Sequence, residues 1–239
     1  MLFLVFRRVS YFVVLMLCLQ LTLVSKSAAQ FNVRVGYSLG VLSANTNSEI
    51  LDSYDTRLSS FYDEYDEFRD LRLIYGISLG LRYKFGLGSL EFSWEGLGRT
   101  ISSVGKFNPN PPAQPSAVTE ELRYRLNLLL LTYETNFDRV GVGSSIGRNF
   151  LSISELIPNN RANISLLDGN QGQFVARFHL AFNFYGSSTV AFAIKPFIQL
   201  GTTDADLSSY TRNLSVSATD TNEDFLMWGL SFAFYNGRQ

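Results

Sequence analysis

The chain has 239 residues, a formal net charge of −1 at pH 7 and a single cysteine. Arg and Lys recur singly in a near-neutral balance, which excludes the basic patch of a nucleic-acid-binding protein. Cys18 lies in the N-terminal leader, so disulfides play no part in the remainder of the chain.

Arg7 and Arg8 precede an apolar, uncharged run from Tyr11 to Val24, and the small residues Ser27-Ala28-Ala29 come before Gln30. This layout predicts a secretory signal peptide over residues 1–29, cleaved near Ala29. The run is shorter than the ~20 residues of a spanning helix. Cys18 follows Leu17, not a small residue, which argues against lipidation. The remaining domain, residues 30–239, is of single-domain size for an all-β barrel. Loss of Arg7, Arg8 and Lys26 takes its net charge to about −4.

Eight segments then alternate with a period of two, the signature of β-strands. In the first, Val33, Val35, Tyr37, Leu39 and Val41 oppose Arg34, Gly36, Ser38 and Gly40. The second, Leu71 to Phe85, is the clearest. Its odd positions are all Leu, Ile, Tyr or Phe, and its even positions include Arg72, Gly76, Ser78, Gly80, Arg82 and Lys84. The third, Leu90 to Arg99, sets Leu90, Phe92 and Trp94 against Glu91, Ser93, Glu95 and Arg99. The fourth, Leu122 to Tyr133, sets Leu122, Tyr124, Leu126, Leu128 and Leu130 against Arg123, Arg125 and Asn127. There the pattern blurs at Leu129 and Leu131.

The fifth spans Arg139 to Gly147 and the sixth Gln173 to Phe184. In the sixth, Phe174, Phe178, Leu180, Phe182 and Phe184 oppose Gln173, Arg177, His179 and Asn183. The seventh, Val190 to Gly201, carries Lys195 and Gln199 on its polar face and Pro196 on its apolar one, a local irregularity. The eighth, Leu226 to Tyr235, directs Leu226, Trp228, Leu230, Phe232 and Phe234 one way.

Connections alternate between short (86–89, 134–138, 185–189) and long (42–70, 100–121, 148–172, 202–225). Tight turns at one end and long loops at the other are the mark of an outer-membrane barrel, in which apolar side chains face lipid and polar ones fill the lumen. The pattern predicts an eight-stranded antiparallel up-and-down transmembrane barrel with both termini on the short-turn, periplasmic side. Outward aromatics fit interfacial girdles. A soluble, exported lipocalin-like barrel holding an apolar ligand is the alternative. It would turn Leu79, Phe178 and Phe182 inward and Arg82, Arg125 and Arg177 to water.

These features resemble the small outer-membrane barrels of the OmpA/OmpX type, and most closely the outer-membrane β-barrel domain common in Bacteroidota. The resemblance rests on the leader, the eight-segment cadence, Tyr124-Arg125-Leu126-Asn127-Leu128, Lys195-Pro196-Phe197 and Gly229-Leu230-Ser231-Phe232-Ala233-Phe234. It implies contact with outer-membrane lipid and with the barrel-assembly machinery during biogenesis. Such chains usually end on an aromatic residue, whereas here Asn236-Gly237-Arg238-Gln239 follows Tyr235.

A lumen charge network is predicted from Arg82, Glu91, Glu95, Arg123, Arg125, Arg177 and Lys195, with Arg82 and Arg125 as partners for the two glutamates. An eight-stranded barrel is just wide enough for side chains to fill it, so a packed core is expected rather than a narrow, anion-favouring passage. His179 is the sole histidine and faces inward, and Ala181 stands where a lipid hydrolase of this layout would place a serine. No enzyme, cofactor or metal centre is expected. The acidic, aromatic loop with Asp63, Glu64, Asp66, Glu67 and Asp70 is a candidate external site for a divalent cation or a protein partner, since hard cations want clustered carboxylates. Its ordinary expectation is a solvated, mobile loop. The role expected of the whole is structural, adhesive or interactive, exerted through four long loops.

Overall fold

A two-residue period has only one backbone that satisfies it, and every alternating segment folds as a strand. A computed structural model describes residues 30–68, 71–107, 116–156, 163–169, 171–185 and 190–236. The expected leader, Asp70 and the Pro-rich tip at 108–115 lie outside the described residues. In chain order the elements are β1 (Gln30–Ser43), α1 (Asn45–Ser59), β2 (Glu64–Asp66), β3 (Leu73–Phe85), β4 (Gly88–Phe107), β5 (Ser116–Phe137) and β6 (Val140–Leu156). There follow β7 (Asn163–Ser165), β8 (Gln171–Tyr185), β9 (Val190–Gly201), β10 (Ala205–Asp206), α2 (Ser208–Leu214), β11 (Asn222–Glu223) and β12 (Leu226–Asn236).

The eight long strands pair antiparallel in the order β1-β3-β4-β5-β6-β8-β9-β12, and β12 returns to β1. The sheet is therefore closed and has no lateral edge through its body, which disposes of the unpaired backbone groups of an open sheet. Gly86 and Asp138 take positive φ (55° and 56°) in the tight β3–β4 and β5–β6 turns, where glycine carries no steric cost and aspartate tolerates the left-handed region.

The two faces of the strands are chemically opposed. Val35, Ile77, Leu79, Phe92, Ile146, Phe178, Phe182 and Phe234 are exposed on the outside, while Ser38, Ser78, Ser93 and Ser231 are buried inside. A soluble protein does not carry a continuous apolar belt of this kind. The soluble alternative is corrected here, because Leu79, Phe178 and Phe182 face outward while Arg82 and Arg177 are buried in the lumen.

Three further corrections follow. First, the strands outrun the sequence segments: β4, β5 and β6 have 20, 22 and 17 residues. Much of what reads as the 100–121 loop is an extension of the β4–β5 hairpin, whose pairing runs to Phe107 and Ser116. Second, the faces of β5 are reversed. Leu122, Tyr124, Leu126, Leu128 and Leu130 are all 4% exposed or less, whereas Leu129 and Leu131 face outward. The doubled run Leu128–Leu131 hides the phase, and the expectation that even positions of this strand meet lipid fails because the lumen here is apolar.

The third correction explains the second. The long-loop half of the barrel is filled by an apolar core, not by water or charge. Residues 45–59 form a helix, not a solvated loop, because Ile50, Leu51, Tyr54 and Leu58 recur at helical spacing on one buried face. They pack in one cluster with Leu97, Leu126, Leu128, Leu151, Ile153 and Met227 of the wall and with Leu207, Tyr210, Leu214 and Phe225 from the β9–β12 connection. The mouth is thus plugged by the chain's own loops.

The reversed phase of β5 is checked by cysteine labelling, since the only native cysteine is Cys18, outside the strands of the barrel. In the folded protein, Leu129→Cys is expected to react with a membrane-partitioning maleimide. Leu128→Cys is expected to stay protected until the barrel is unfolded. Equal labelling of the two would overturn the assignment.

Candidate functional site in the charged lumen and its plug

Below the apolar plug the inward positions change character. Each long strand except β6 brings a charged or phenolic group to the same level: Arg34 from β1, Arg82 from β3, Glu91 and Glu95 from β4, Glu134 from β5, Arg177 and His179 from β8, Lys195 from β9 and Tyr235 from β12. All are buried. Glycine at position 143 of β6 leaves the room, since a Cβ there would come within 2.3 Å of the His179 ring.

Two clasps result. In one, Arg34 Nη1 donates to Glu91 Oε1 at 2.6 Å, and the Tyr235 hydroxyl donates to Glu91 Oε2 at 3.0 Å. Arg34 Nη2 reaches on to Glu95 at 3.4 Å, whose carboxylate is held by Arg177 Nη1 at 2.9 Å. In the other, Glu134 gathers Lys195 Nζ at 2.6 Å, Arg82 Nη2 at 3.0 Å and His179 Nε2 at 2.9 Å. Gln199 Oε1 accepts from Arg177 Nε and Nη2, at 3.1 and 2.8 Å. Ring faces supply the remaining contacts: Arg177 lies 4.3 Å from the centroid of Phe197, and Arg82 4.7 Å from that of Tyr235.

An ion taken from water into such a space costs several kcal/mol even after relaxation, so these groups coexist only because each finds an opposite charge and further hydrogen bonds. Four cations face three carboxylates in this network. The cavity left among Arg34, Thr132, Arg177, His179 and Lys195 is about 20 Å³, room for one water molecule. Beneath the plug an apolar cavity of about 10 Å³ remains among Leu42, Ile74, Leu126 and Phe225.

The predicted network is only partly assembled this way. Arg82, Glu91, Glu95, Arg177 and Lys195 lie together in the lumen. Arg123 and Arg125 do not. With the phase of β5 reversed they stand on the outer face, opposite Ser154 and Ser152 of β6. The predicted pairing of Glu91 and Glu95 with Arg82 and Arg125 is likewise replaced by Arg34 and Arg177, while Arg82 turns to Glu134.

The segment pattern puts Glu134 in a turn and assigns Tyr235 no role, whereas both belong to the network. Thr132, Glu134 and Asn136, alternating with Leu131, Tyr133 and Phe137, already carried the phase that places Glu134 inside.

At the long-loop end the acidic residues disperse. Asp63, Glu64, Asp66 and Glu67 are all exposed, and Glu64 pairs with Lys106 at 2.7 Å. Asp66 and Glu67 line an open groove of about 580 Å³ beside Arg99. Among the described residues no three metal-binding side chains converge; Asp70 lies outside them.

The groups that fasten the loops are different ones. Tyr54 donates to Glu120 at 2.7 Å, and Tyr65 donates to Asp55 at 2.5 Å. Burial raises both phenols and the Asp55 carboxyl. Glu223, brought in by β11, accepts the backbone N–H of Asn47 at 2.7 Å and so caps α1 from another loop. Burial pushes its carboxyl up to about 7, against the lowering effect of the amides at the helix start.

No protein-family model matches the sequence, and no curated protein matches it. Among solved structures, similarity is found to Ail, the attachment invasion locus protein of Yersinia pestis, solved in complex with the heparin analogue sucrose octasulfate. The identity is 9%, 88% of this chain and 99% of that chain are covered, and the TM-score is 0.47. Neisserial surface protein A is similar at 7% identity over 88% of this chain and 99% of that one, with a TM-score of 0.44. The outer membrane protease OmpT from Escherichia coli is similar at 9% identity over 89% and 100%, with a TM-score of 0.38. The barrel assignment itself rests on the chain's own strand pairing.

Two outcomes are expected. Glu134→Gln leaves Lys195 and Arg82 short of their shared carboxylate in a sealed space, and should cost about 3–5 kcal/mol of stability. Unfolding of the detergent-solubilised barrel measures it, with Glu64→Gln at the surface leaving the midpoint unchanged. The second concerns Glu223. Its pKa in the folded plug is raised above the ordinary carboxylate value, so its contribution is complete below about pH 4.3 and is lost as pH rises through about 7. Amides at the start of α1 should therefore lose protection between pH 5 and pH 8 by hydrogen exchange corrected for intrinsic rate, since the two values bracket about 7. Glu223→Gln should remove that pH dependence.

Proposed function

We propose that this protein is a bacterial outer-membrane barrel with a closed lumen, whose structural, adhesive or interaction role is exerted from its long-loop end. The observation that carries the reading is the filled interior. A charge network occupies one half and an apolar plug the other, leaving cavities of about 20 and 10 Å³. The continuous apolar exterior supports a lipid setting, because a barrel closed on itself is one of the two backbones that satisfy every polar group there. In this reading residues 1–29 direct export and are removed near Ala29. The short turns lie in the periplasm, the plugged mouth faces outward, and the barrel-assembly machinery inserts the chain.

The protein acts without catalysis in this reading. His179 is engaged with Glu134 inside the network, away from lipid and from the mouth. The long-loop end supplies the working surface: the β4–β5 hairpin that rises beyond β3, the exposed Phe61 and Phe107, and the groove beside Arg99. A narrow anion-favouring passage is the second reading, motivated by the excess of one cation in the lumen.

Single-molecule conductance in planar bilayers separates the two. The purified barrel is expected to insert, shown by heat-modifiable migration on a gel, and to give no steady current. A stable conductance with anion preference would overturn the closed-lumen reading.

A further inference from the structure

We infer that the outward arginines Arg123 and Arg125 of β5, together with Arg148 of β6, form a binding site for the phosphate groups of an outer-leaflet lipid. The inference rests on the membrane reading above and adds to it a ligand class and the residues that hold it.

The outward column of β5 begins at Phe137 by the short turn and rises through Thr135, Tyr133, Leu131 and Leu129. It then changes abruptly to Asn127, Arg125 and Arg123. The neighbouring column of β6 rises through Val140, Val142, Ser144, Ile146, Arg148 and Phe150 and then changes to Ser152 and Ser154 before Leu156. The register sets Arg125 against Ser152, Arg123 against Ser154 and Arg148 against Leu129. The two columns therefore pass from mainly apolar to polar within one register pair of each other, with Arg125 and Arg123 at that level and Arg148 just below it.

Height along the barrel fixes what this level is. Twelve residue steps separate Arg125 from Phe137. At about 3.3 Å per residue and a tilt of about 40°, that is roughly 30 Å, above an apolar band about 25 Å tall. Arg125 and Arg123 thus sit where lipid headgroups begin. Arg148 starts lower, within the band. Its guanidinium lies over the rings of Phe150 and Phe174, at 5.3 and 5.7 Å from their centroids. A long side chain with an apolar stem, held this way, reaches from lipid depth toward the interface.

The charge is not spent within the protein. Among the described residues no carboxylate lies within ion-pair distance of Arg123, Arg125 or Arg148, and Glu121, two residues further up the same column, forms no such pair with Arg123. The buried cations of the lumen, by contrast, are all matched to glutamates. A guanidinium presents a planar fork that fits phosphate oxygens two at a time, and is stronger toward a phosphate than toward a neutral headgroup. The Ser152 and Ser154 hydroxyls alongside add donors. A ligand that satisfies both the apolar columns below and the cations above has acyl chains and a phosphorylated head.

The test uses the full-length mature barrel in phosphatidylcholine nanodiscs doped either with bis-phosphorylated lipid A or with the same lipid after phosphatase treatment, and native mass spectrometry counts retained lipid. The phosphorylated lipid should be retained about tenfold more strongly, and Arg123→Gln/Arg125→Gln/Arg148→Gln should abolish that preference while Lys106→Gln keeps it. Retention that ignores the phosphates, or a triple variant that still prefers them, overturns the inference while leaving the membrane reading intact. A barrel that never enters nanodiscs overturns the membrane reading instead. Should the triple variant fail to fold, the single variants Arg123→Gln, Arg125→Gln and Arg148→Gln replace it, and a preference left whole by all three overturns the inference.

Discussion

A barrel of eight strands is too narrow to hold bulk water and too wide to close on backbone alone, so its side chains must fill it. That constraint governs the whole interior. Glu134 answers it most economically, since a single carboxylate holds Lys195, Arg82 and His179 from three other strands. Glu91 and Glu95 do the same for Arg34 and Arg177. Without these matches the interior would be a column of unpaired buried charge, which no apolar belt outside could offset.

The other half of the lumen meets the same constraint with different chemistry. There the wall residues Leu97, Leu126, Leu128 and Ile153 need apolar partners, and α1 and the β9–β12 connection supply them. The loops are therefore not appendages. They complete the core of the barrel, and Glu223 ties one loop's helix to the other's strand. The surface at that end is therefore built on a packed base.

Much of this was legible in the sequence, and the exceptions have physical causes. From Leu73 to Phe85 the alternation gave strand and face directly, because the outward positions are apolar without a break and the inward ones, Ile74 apart, are small or charged. The phase of β5 was not legible from its apolar residues, because Leu128–Leu131 are apolar on both faces: the interior at that height is as greasy as the exterior. Arg123 and Arg125 consequently went to the wrong side. The helix at 45–59 was masked by its acidic, hydroxyl-rich composition, although Ile50, Leu51, Tyr54 and Leu58 carried its period. Arg34 and Glu91 are 57 residues apart, and no periodicity within a strand announces which inward charges meet across a closed ring.

The partners of Glu91 have a consequence for how the barrel forms. Arg34 belongs to the first strand and Tyr235 to the last, and both bind the one carboxylate, on β4. Those two residues also face each other in the register that joins β1 to β12. Arg34 answers the charge of Glu91 across β3, and closing the ring completes the hydrogen bonding of that carboxylate. A sheet with every hairpin made but the seam still open would lack the tyrosine side of that clasp. The seam of such a cylinder is thus locked from within, and zipping it shut draws driving force from the middle of the wall as well as from its two edges.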